Sequence, residues 1–220
     1  MKKIFKKFAS KLPKNYQQEL KRLYFSRQIK KGTFLSDEKE FDQLHKWIGE
    51  GDWVIDVGAN IGHYTKKLSE LVGRPGRVLA FEPIPDTFEL LAANIAKLNH
   101  HNVSLFNIAA SDSSSLKGME LPKFDTGLDN YFMAKITESN SSLNVLCLSI
   151  DSLNLPQKIR LVKIDAEGHD FSVLKGMESL LRKDHPVLII EEDVAEIETY
   201  LEGFGYSSER IGISHNKVFF

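Results

Sequence analysis

Residues 53–62 read Trp-Val-Ile-Asp-Val-Gly-Ala-Asn-Ile-Gly, and this stretch decides the fold. Its first half, residues 53–57, is an almost continuous apolar run, which is typical of a buried strand in a parallel sheet. Gly58 and Gly62 then allow left-handed backbone and let a ligand approach the main chain closely. Apolar residues recur at helical spacing over residues 61–72, and the N-terminus of such a helix offers N–H groups to an anion. The stretch predicts a strand, a ligand-binding loop and a helix; a tight turn without a ligand is the alternative.

The glycine spacing of this loop narrows the choice of ligand. A dinucleotide fingerprint that started at Gly58 would need glycines at Asn60 and His63, and both side chains would crowd a pyrophosphate. The P-loop pattern of nucleoside triphosphatases does not occur in the sequence. S-adenosylmethionine fits better, because its carboxylate needs one anion site and its ammonium needs an acceptor such as Asp56 or a backbone carbonyl. A nicotinamide-dependent oxidoreductase is the runner-up.

Apolar runs alternate with helical patterns along the rest of the chain. Further strands are predicted at residues 77–81, 103–109, 161–164 and 187–190, with a terminal hairpin at 206–211 and 217–220. Further helices are predicted at residues 86–98, 171–181 and 194–201. This order predicts an α/β fold with a parallel sheet and right-handed crossovers. Residues 111–142 are rich in Ser, Asn, Asp and Gly and are predicted to form a mobile or hairpin-containing insertion, followed by an added strand at 145–150.

Glu82 follows the second predicted strand, twenty residues beyond Gly62. A carboxylate at this place can accept hydrogen bonds from both hydroxyls of a ribose. An exposed acid, or an acid that caps the next helix, is the alternative interpretation. Together with the glycine loop, Glu82 supports a nucleoside ligand.

Three ionisable residues, Asp165, Glu167 and His169, follow the strand predicted at 161–164. Ligands of open α/β sheets bind beyond the carboxyl ends of the strands, so these side chains are expected near the cofactor. If the nucleoside ligand is a methyl donor, transfer of the methyl group to a hydroxyl needs an oxygen held in line with the sulfur and a group that accepts its proton. We expect Asp165 to lie closest to the reacting methyl; His169 is a base or an exposed residue at a helix start. Lys163 beside them is expected to extend its ammonium toward water.

Two further acidic features have open roles. Glu191, Glu192 and Asp193 follow the next strand, and together with Asp165 they could offer oxygen ligands to a hard divalent cation. Capping of the next helix is the favoured interpretation, so no metal site is predicted. Asp151 either orients the acceptor or belongs to a turn or helix cap.

Three motifs in this order resemble the FkbM-type methyltransferases of the Rossmann-like class I superfamily: G-x-x-V-I-D-V-G-A-N-I-G-x-Y-T, F-E-P and K-I-D-A-E-G. The resemblance covers roughly residues 50–192. It implies a seven-stranded, mostly parallel sheet with helices on both faces and an antiparallel last strand. It also implies methyl transfer from S-adenosylmethionine, generally to a hydroxyl, with polyketides and sugars among the acceptors of the family.

The resemblance also assigns residues to the cofactor. Four of them would line its methionine end: Asp56, Gly58, Asn60 and Gly62. Glu82 would hold the ribose, and residues 107–112 would approach the adenine. Ala109 and Ala110 stand where an acid is common in class I enzymes, so backbone groups or Asp112 would take that role.

Composition limits the remaining possibilities. The chain has 220 residues and 42% hydrophobic content, which suits one domain with one sizeable core. No apolar run approaches the roughly 18 residues that a membrane span needs. The single cysteine, Cys147, cannot form an internal disulfide, and this favours a reducing, cytoplasmic compartment.

Residues 1–32 form a basic arm on an acidic body: they hold eleven Lys or Arg and one acid, Glu19, a net of +10, against −11 for the rest. We divide the chain into an arm at 1–35 and a methyltransferase domain at 36–220. Apolar residues at helical spacing near the start predict an amphipathic interfacial helix: Ile4, Phe5, Phe8 and Leu12. One role for the arm is contact with an anionic membrane surface, which would place the enzyme peripherally at the inner membrane face. The alternative is that the arm packs on the enzyme's own core or on its acceptor site. Nucleic acid is supported by charge alone and is not expected, and a non-catalytic membrane scaffold is the non-enzymatic alternative.

Overall fold

The computed structural model describes residues 12–124, 130, 133–137, 141, 143–191 and 195–220. Its main sheet has seven strands, which in chain order are β1 (Trp53–Val57), β2 (Arg77–Phe81), β3 (Val103–Phe106), β8 (Ile159–Ile164), β9 (Val187–Ile190), β10 (Ser208–Arg210) and β11 (Lys217–Phe219). Their spatial order is β10-β11-β9-β8-β1-β2-β3. Within this described sheet, β11 runs in the direction opposite to the other six strands. The predicted seven-stranded sheet with an antiparallel last strand is confirmed.

A second, smaller sheet lies between β3 and β8 in the sequence. Its strands are β4 (Ala109–Ala110), β5 (Ser115–Glu120), β6 (Lys135–Thr137) and β7 (Leu143–Leu148), in the spatial order β4-β7-β5-β6. β5 and β6 pair antiparallel, which confirms a hairpin within the insertion. The rest of the insertion, at 125–129, 131–132, 138–140 and 142, lies outside the described residues.

The prediction of one strand over residues 103–109 is wrong. The strand ends at Phe106, and Ala109–Ala110 pairs with β7 in the second sheet. The Asn107 side chain donates hydrogen bonds to the carbonyls of Glu82 (2.8 Å) and Pro83 (3.1 Å). The chain thus leaves the main sheet at Asn107, whose side chain makes hydrogen bonds in place of the main-chain bonds between strands.

The α-helices are α1 (Lys14–Lys31), α2 (His63–Val72), α3 (Pro85–Ile95), α4 (Asp170–Lys175), α5 (Glu178–Asp184) and α6 (Ala195–Glu202), with 3₁₀ helices at Glu40–Lys46 and Ile150–Leu153. The single helix predicted at 171–181 is interrupted at Gly176. A Cβ on Gly176 would lie 1.8 Å from the Ser111 carbonyl oxygen, so the chain can pass Ser111 only with glycine.

Helices cover both faces of the main sheet, as predicted. Tyr64 and Leu68 of α2 pack with Val54 and Leu161 on one face. The neighbouring strand residue Val162 points to the other face, where the apolar side chains of α4, α5 and α6 cover it. This alternation fixes the register of β8, because a shift by one residue would exchange the two faces.

α1 lies outside this layered body and packs on α3. Its half-buried Phe25 and Ile29 contact the buried side chains of Phe34, Ile61 and Leu90. In the part of the chain that the structure describes, no helix combines the length and apolar character needed to cross a membrane. The amphipathic helix predicted at the start falls almost entirely on residues 1–11, outside the described residues, and the division into arm and domain remains a prediction.

Candidate functional site

A cavity of about 470 Å³ opens at the carboxyl ends of β1, β2, β8 and β9. Six of the nine residues assigned from the sequence line it: Asp56, Gly58, Asn60, Glu82, Asp165 and Glu167. The other three, Gly62, Asp112 and His169, are not among its lining residues. The four strands end side by side because they are parallel neighbours, and this brings distant polar residues to one edge.

The loop at residues 58–62, here called the cofactor loop, forms one wall. Gly58, Asn60 and Gly62 all have positive φ angles of 73°, 49° and 97°. A Cβ on Gly58 would lie 1.8 Å from the carbonyl oxygen of Asp165. Gly62 acts as the N-cap of α2, which has no side-chain cap. The first N–H groups of α2 therefore remain available for an anion such as the carboxylate of an amino acid.

Asp56, at the end of β1, is fully buried. One carboxylate oxygen, Oδ2, accepts a hydrogen bond from Thr65 Oγ1 at 2.6 Å. The other, Oδ1, is buried without a hydrogen-bond partner among the described residues. Burial raises the pKa of Asp56 above its usual value, although the charge of Lys163 and the bond from Thr65 oppose this. A buried acceptor without a partner in a cavity wall is costly unless a ligand supplies the donor, and an ammonium group would do so.

Glu82 follows β2 and is 4% exposed. Its Oε2 accepts the N–H of Asn60 and its Oε1 accepts the N–H of Ile84, both at 2.9 Å. Burial raises the pKa of Glu82 to about 7, even though these two bonds lower it. Each oxygen retains acceptor capacity for a second donor, as a ribose diol requires.

The buried Lys163 forms an ion pair with the half-buried Asp165 at the end of β8. Lys163 is 3% exposed and its Nζ lies 2.6 Å from Asp165 Oδ2 and 4.9 Å from the ring centre of Tyr64. Burial lowers the pKa of Lys163, but the charges of Asp165 and Asp56 raise it above its usual value. The expectation that Lys163 extends into water is wrong: its ammonium lies between carboxylates inside the protein.

Asp165, Glu167 and Glu191 form a second group, here called the carboxylate cluster. Their nearest oxygens all lie within 4.8 Å of one another. Burial raises the pKa of Asp165, but the charge of Lys163 and hydrogen bonds from Glu191 and Lys163 hold it below its usual value. The bond to Asp165 raises the pKa of Glu191 to about 8, and burial and the charge of Asp165 act in the same direction.

The carboxylate cluster offers oxygen atoms of the kind that Mg²⁺ binds. Lys163 already supplies a positive charge to Asp165, and the pKa of Glu191 is raised to about 8. Both features offset the charge that a cation would otherwise neutralise. Glu192 and Asp193, the other acids considered for a metal, lie outside the described residues.

The structure places His169 and Asp112 away from the cavity lining. His169 Nε2 lies 2.9 Å from Ser111 Oγ at the start of α4. Asp112 is exposed and accepts hydrogen bonds from Ser113 Oγ (2.9 Å) and Ser111 Oγ (3.3 Å). These bonds contribute to holding the pKa of Asp112 below its usual value, with the bond from Ser113 as the largest cause. We expected His169 at the cavity because it follows β8, and Asp112 because of the family resemblance. The turn from β4 toward β5 instead directs Asp112 outward.

The wall assigned to adenine is apolar instead. The residues of the predicted stretch that reach the cavity are Ile108, Ala109 and Ala110. Asp151, whose role was open, is a helix cap: its carboxylate accepts the N–H groups of Ser179 (2.8 Å) and Leu180 (3.0 Å) at the start of α5.

The segment that follows α1 also contributes to the cavity, which the sequence did not predict. Ser36 and Glu38 line the cavity, and Ser36 Oγ donates to Glu38 Oε2 at 2.7 Å. The negative charge of Glu38 acts on Asp56 and Lys163. No motif marks this segment, because its place at the site depends on the packing of α1. The second sheet adds another unforeseen wall through Met119, Ala134 and Ile136.

Fold and cavity together define a Rossmann-like methyltransferase site. The family model described as methyltransferase FkbM domain matches residues 56–208, and the chain belongs to this family. Its cofactor is S-adenosylmethionine, and the available N–H groups of α2, the unpartnered oxygen of Asp56 and the two accepting oxygens of Glu82 suit the carboxylate, ammonium and ribose of that molecule.

Individual relatives give a similar picture. Hexuronic acid methyltransferase AglP of Haloferax volcanii is 30% identical over 144 residues, which are 64% of this chain and 56% of that protein. The chain thus spans about half the length of this relative. The crystal structure of methyltransferase FkbM from Methylobacillus flagellatus aligns with a TM-score of 0.56 and 14% identity over 93% of this chain and 59% of that one. Fibrillarin of Aeropyrum pernix was solved with natively bound S-adenosyl-L-methionine. It aligns with a TM-score of 0.50 and 12% identity over 79% of this chain and 67% of that one. The two structural likenesses establish the fold.

Proposed function

We propose that this chain transfers the methyl group of S-adenosylmethionine to a hydroxyl oxygen of a small molecule or glycan. The observation that carries the proposal is the contact between Gly58 and Asp165, which joins the cofactor loop to a carboxylate at the cavity wall. The name of the Haloferax relative supports a sugar acceptor. The family match favours this function over the nicotinamide-dependent alternative.

Each site residue has a role in the proposed reaction. The cofactor supplies an electrophilic methyl on a positively charged sulfur. Asp56 accepts hydrogen bonds from its ammonium, Glu82 holds its ribose, and the N–H groups of α2 receive its carboxylate. The main-chain contact at Gly58 then fixes the distance between this cofactor pocket and Asp165.

Asp165 is the proposed general base. Its pKa lies below the usual value, so the carboxylate is ionised at neutral pH. Asp165 would accept the hydroxyl proton of the acceptor as its oxygen takes the methyl group that the bound cofactor would supply. Glu167 lies beside it in the left-handed region, at a φ of 50°, and is the proposed contact for a second acceptor hydroxyl. His169 is not proposed as a base because its ring contacts Ser111.

Asp165→Asn tests this assignment. It should lower kcat about 10²- to 10⁴-fold, the range typical of a general base, while binding of S-adenosylhomocysteine changes less than about twofold. Calorimetry measures the binding, and transfer of labelled methyl to host extracts measures the activity. Asp112→Asn, an exposed acid outside the cavity, is the matched control and should leave both unchanged. Folded protein that binds neither form of the cofactor would contradict methyl transfer, and full activity of Asp165→Asn would assign the role of base to another group.

We also propose that the reaction proceeds without a divalent cation, because the charge of Lys163 and the raised pKa of Glu191 already lower the negative charge of the carboxylate cluster. Treatment with a chelator should change the rate by less than about twofold, within ordinary assay scatter. Loss of activity that added Mg²⁺ restores would instead assign a cation to Asp165, Glu167 and Glu191.

The proposed partners are the small-molecule or glycan acceptor and, through residues 1–32, an anionic membrane surface. A position at the inner face of a membrane would bring the cavity to a lipid-linked glycan. The charge division between residues 1–32 and the remaining chain supports this second partner.

A further inference from the structure

α1 has apolar side chains on two opposite faces. Its inner face packs on α3: Phe25 and Ile29 enter the cluster around Phe34, and Arg22 pairs with Glu89. Its outer face presents four large apolar side chains to solvent, each between 38% and 60% exposed: Tyr16, Leu20, Leu23 and Tyr24. At 100° per residue these four lie opposite Phe25 and Ile29, so no bending of α1 would bury them on the body.

The outer face is also basic at one end. Arg27 and Lys31 are exposed and continue the row of Tyr16, Leu20 and Tyr24 at helical spacing. We define the docking face as these two basic residues together with the four apolar ones. It combines leucines that can enter a hydrocarbon boundary, tyrosines that favour its polar edge, and cations that suit lipid phosphates.

We propose that the docking face of α1 binds an anionic phospholipid bilayer, with the helix lying along the surface. α1 is about 27 Å long, which is ample for a helix lying in the interfacial plane. The remainder of the chain carries a net charge of −11 over residues 33–220, so attraction to anionic lipid is confined to the N-terminal region. This surface is separate from the helix predicted for residues 1–12, and its binding does not depend on methyl transfer.

The fold connects the docking face to the cavity. Lys31 and Ser36, which lines the cavity, are five residues apart, so their Cα atoms lie within about 17 Å of each other. Between them, Phe34 is buried against Ile61 of the cofactor loop. A bilayer on α1 would therefore hold the cavity at a fixed, short distance from lipid headgroups, where an acceptor carried on a lipid would be found.

The charge pattern favours a bilayer over other occupants. In an antiparallel pair of α1 helices, the basic residues of one copy would face the apolar residues of the other. In a parallel pair, Arg27 and Lys31 would lie beside their own copies. Nucleic acid would use the cations but leave the exposed leucines and tyrosines unaccounted for.

Co-sedimentation of the full chain with vesicles tests the proposal. Binding should be strong on equimolar phosphatidylcholine and phosphatidylglycerol and weak on phosphatidylcholine alone, and it should fall with added salt. Arg27→Gln/Lys31→Gln should weaken binding to the anionic vesicles about 30-fold, since each cation near such a surface contributes about a factor of five. Leu20→Ser/Leu23→Ser should weaken it at least about tenfold.

The matched control is Ile213→Ser, which removes an exposed apolar side chain in the turn before β11 and should bind like the parent. Circular dichroism and S-adenosylhomocysteine binding verify that each variant is folded, so failure of the methyltransferase proposal would be seen separately. Parental vesicle binding by both double variants would overturn the proposal. A dimer in sedimentation velocity that Leu20→Ser/Leu23→Ser abolishes would also overturn it, as would tighter binding to DNA than to anionic vesicles at the same salt concentration.

Discussion

The cofactor loop is shaped by backbone geometry, whereas the carboxylate cluster beside it is shaped by side-chain charge. Three residues of the loop have positive φ, and the oxygens of Glu82 accept main-chain N–H groups at both sides. The cluster instead depends on the buried ammonium of Lys163 and on the hydrogen bond between the carboxyl groups of Asp165 and Glu191. A surface set by the main chain suits a constant cofactor, while a surface set by ionisable groups can be tuned to an acceptor.

The largest expected effect lies where the two regions touch. Gly58→Ala would place a Cβ 1.8 Å from the Asp165 carbonyl and would hold alanine at a φ of 73°. The strain of left-handed backbone and the overpacking together should lower the free energy of unfolding by about 5 kcal/mol. Urea unfolding followed by circular dichroism measures the change.

The matched control is Gly168→Ala, which has a φ of 87° but no heavy atom within 4 Å of the added Cβ. It should cost only the backbone strain, about 1–2 kcal/mol. Equal losses in the two variants would show that the cofactor loop does not depend on the contact with Asp165.

Removal of the buried charge tests the other region. Lys163→Met should lower the free energy of unfolding by about 3 kcal/mol, because the buried Asp56 and the half-buried Asp165 would lose their cation. Lys163 lowers the pKa of Asp165, so its loss raises that pKa. The acidic limb of the profile of kcat against pH should therefore move to higher pH. A lower kcat with an unmoved limb would mean that Lys163 acts only through stability.

Glu82 combines features of the cofactor loop and the carboxylate cluster, because it is an ionisable group whose oxygens accept main-chain hydrogen bonds. Its folded-state pKa is raised from the ordinary 4.5 to about 7, so the folded chain binds more protons than the unfolded chain between these values. The stability of the cofactor-free protein should fall as pH rises through this window. Glu82→Gln should remove most of that fall, about 3 kcal/mol, measured by urea unfolding at pH values on either side of the window.

The same variant should weaken S-adenosylhomocysteine binding about tenfold or more, because an amide replaces one of the two accepting oxygens. Glu209→Gln, at an exposed strand position, provides the control for the general effect of losing an acid. An unchanged pH dependence in Glu82→Gln would show that another group titrates in this window.

The smallest effect is expected at Asp151, which resembles a site residue in sequence but caps α5 in the structure. Asp151→Ala should cost about 1 kcal/mol of stability through the loss of two hydrogen bonds to N–H groups. Methyl transfer and cofactor affinity should stay at parental levels in assays below the unfolding temperature. A selective loss of acceptor turnover would return Asp151 to the acceptor site.

Most of the main sheet, and the residues that follow its first two strands at the cavity, could be predicted from the sequence. Periodicity predicted residues 53–57, 77–81 and 187–190 as strands with the bounds the structure shows, because buried parallel strands are continuous apolar runs. Gly58 and Glu82 could be assigned because their roles follow from local chain order: each stands directly after a strand whose end must face the ligand.

Which of the remaining polar side chains contact one another depends on how the helices and strands pack. His169 and Asp112 are close in sequence to cavity residues but are directed elsewhere, and Asp151 serves a helix. Glu38 reaches the cavity although no motif marks it, because α1 packs on α3 and directs the following segment inward. Burial of Lys163 likewise depends on α2 covering the sheet, and residue type alone predicts a lysine in water. The position of a residue directly after a strand can be predicted from the sequence. Burial and long-range contacts arise only when separate elements pack together.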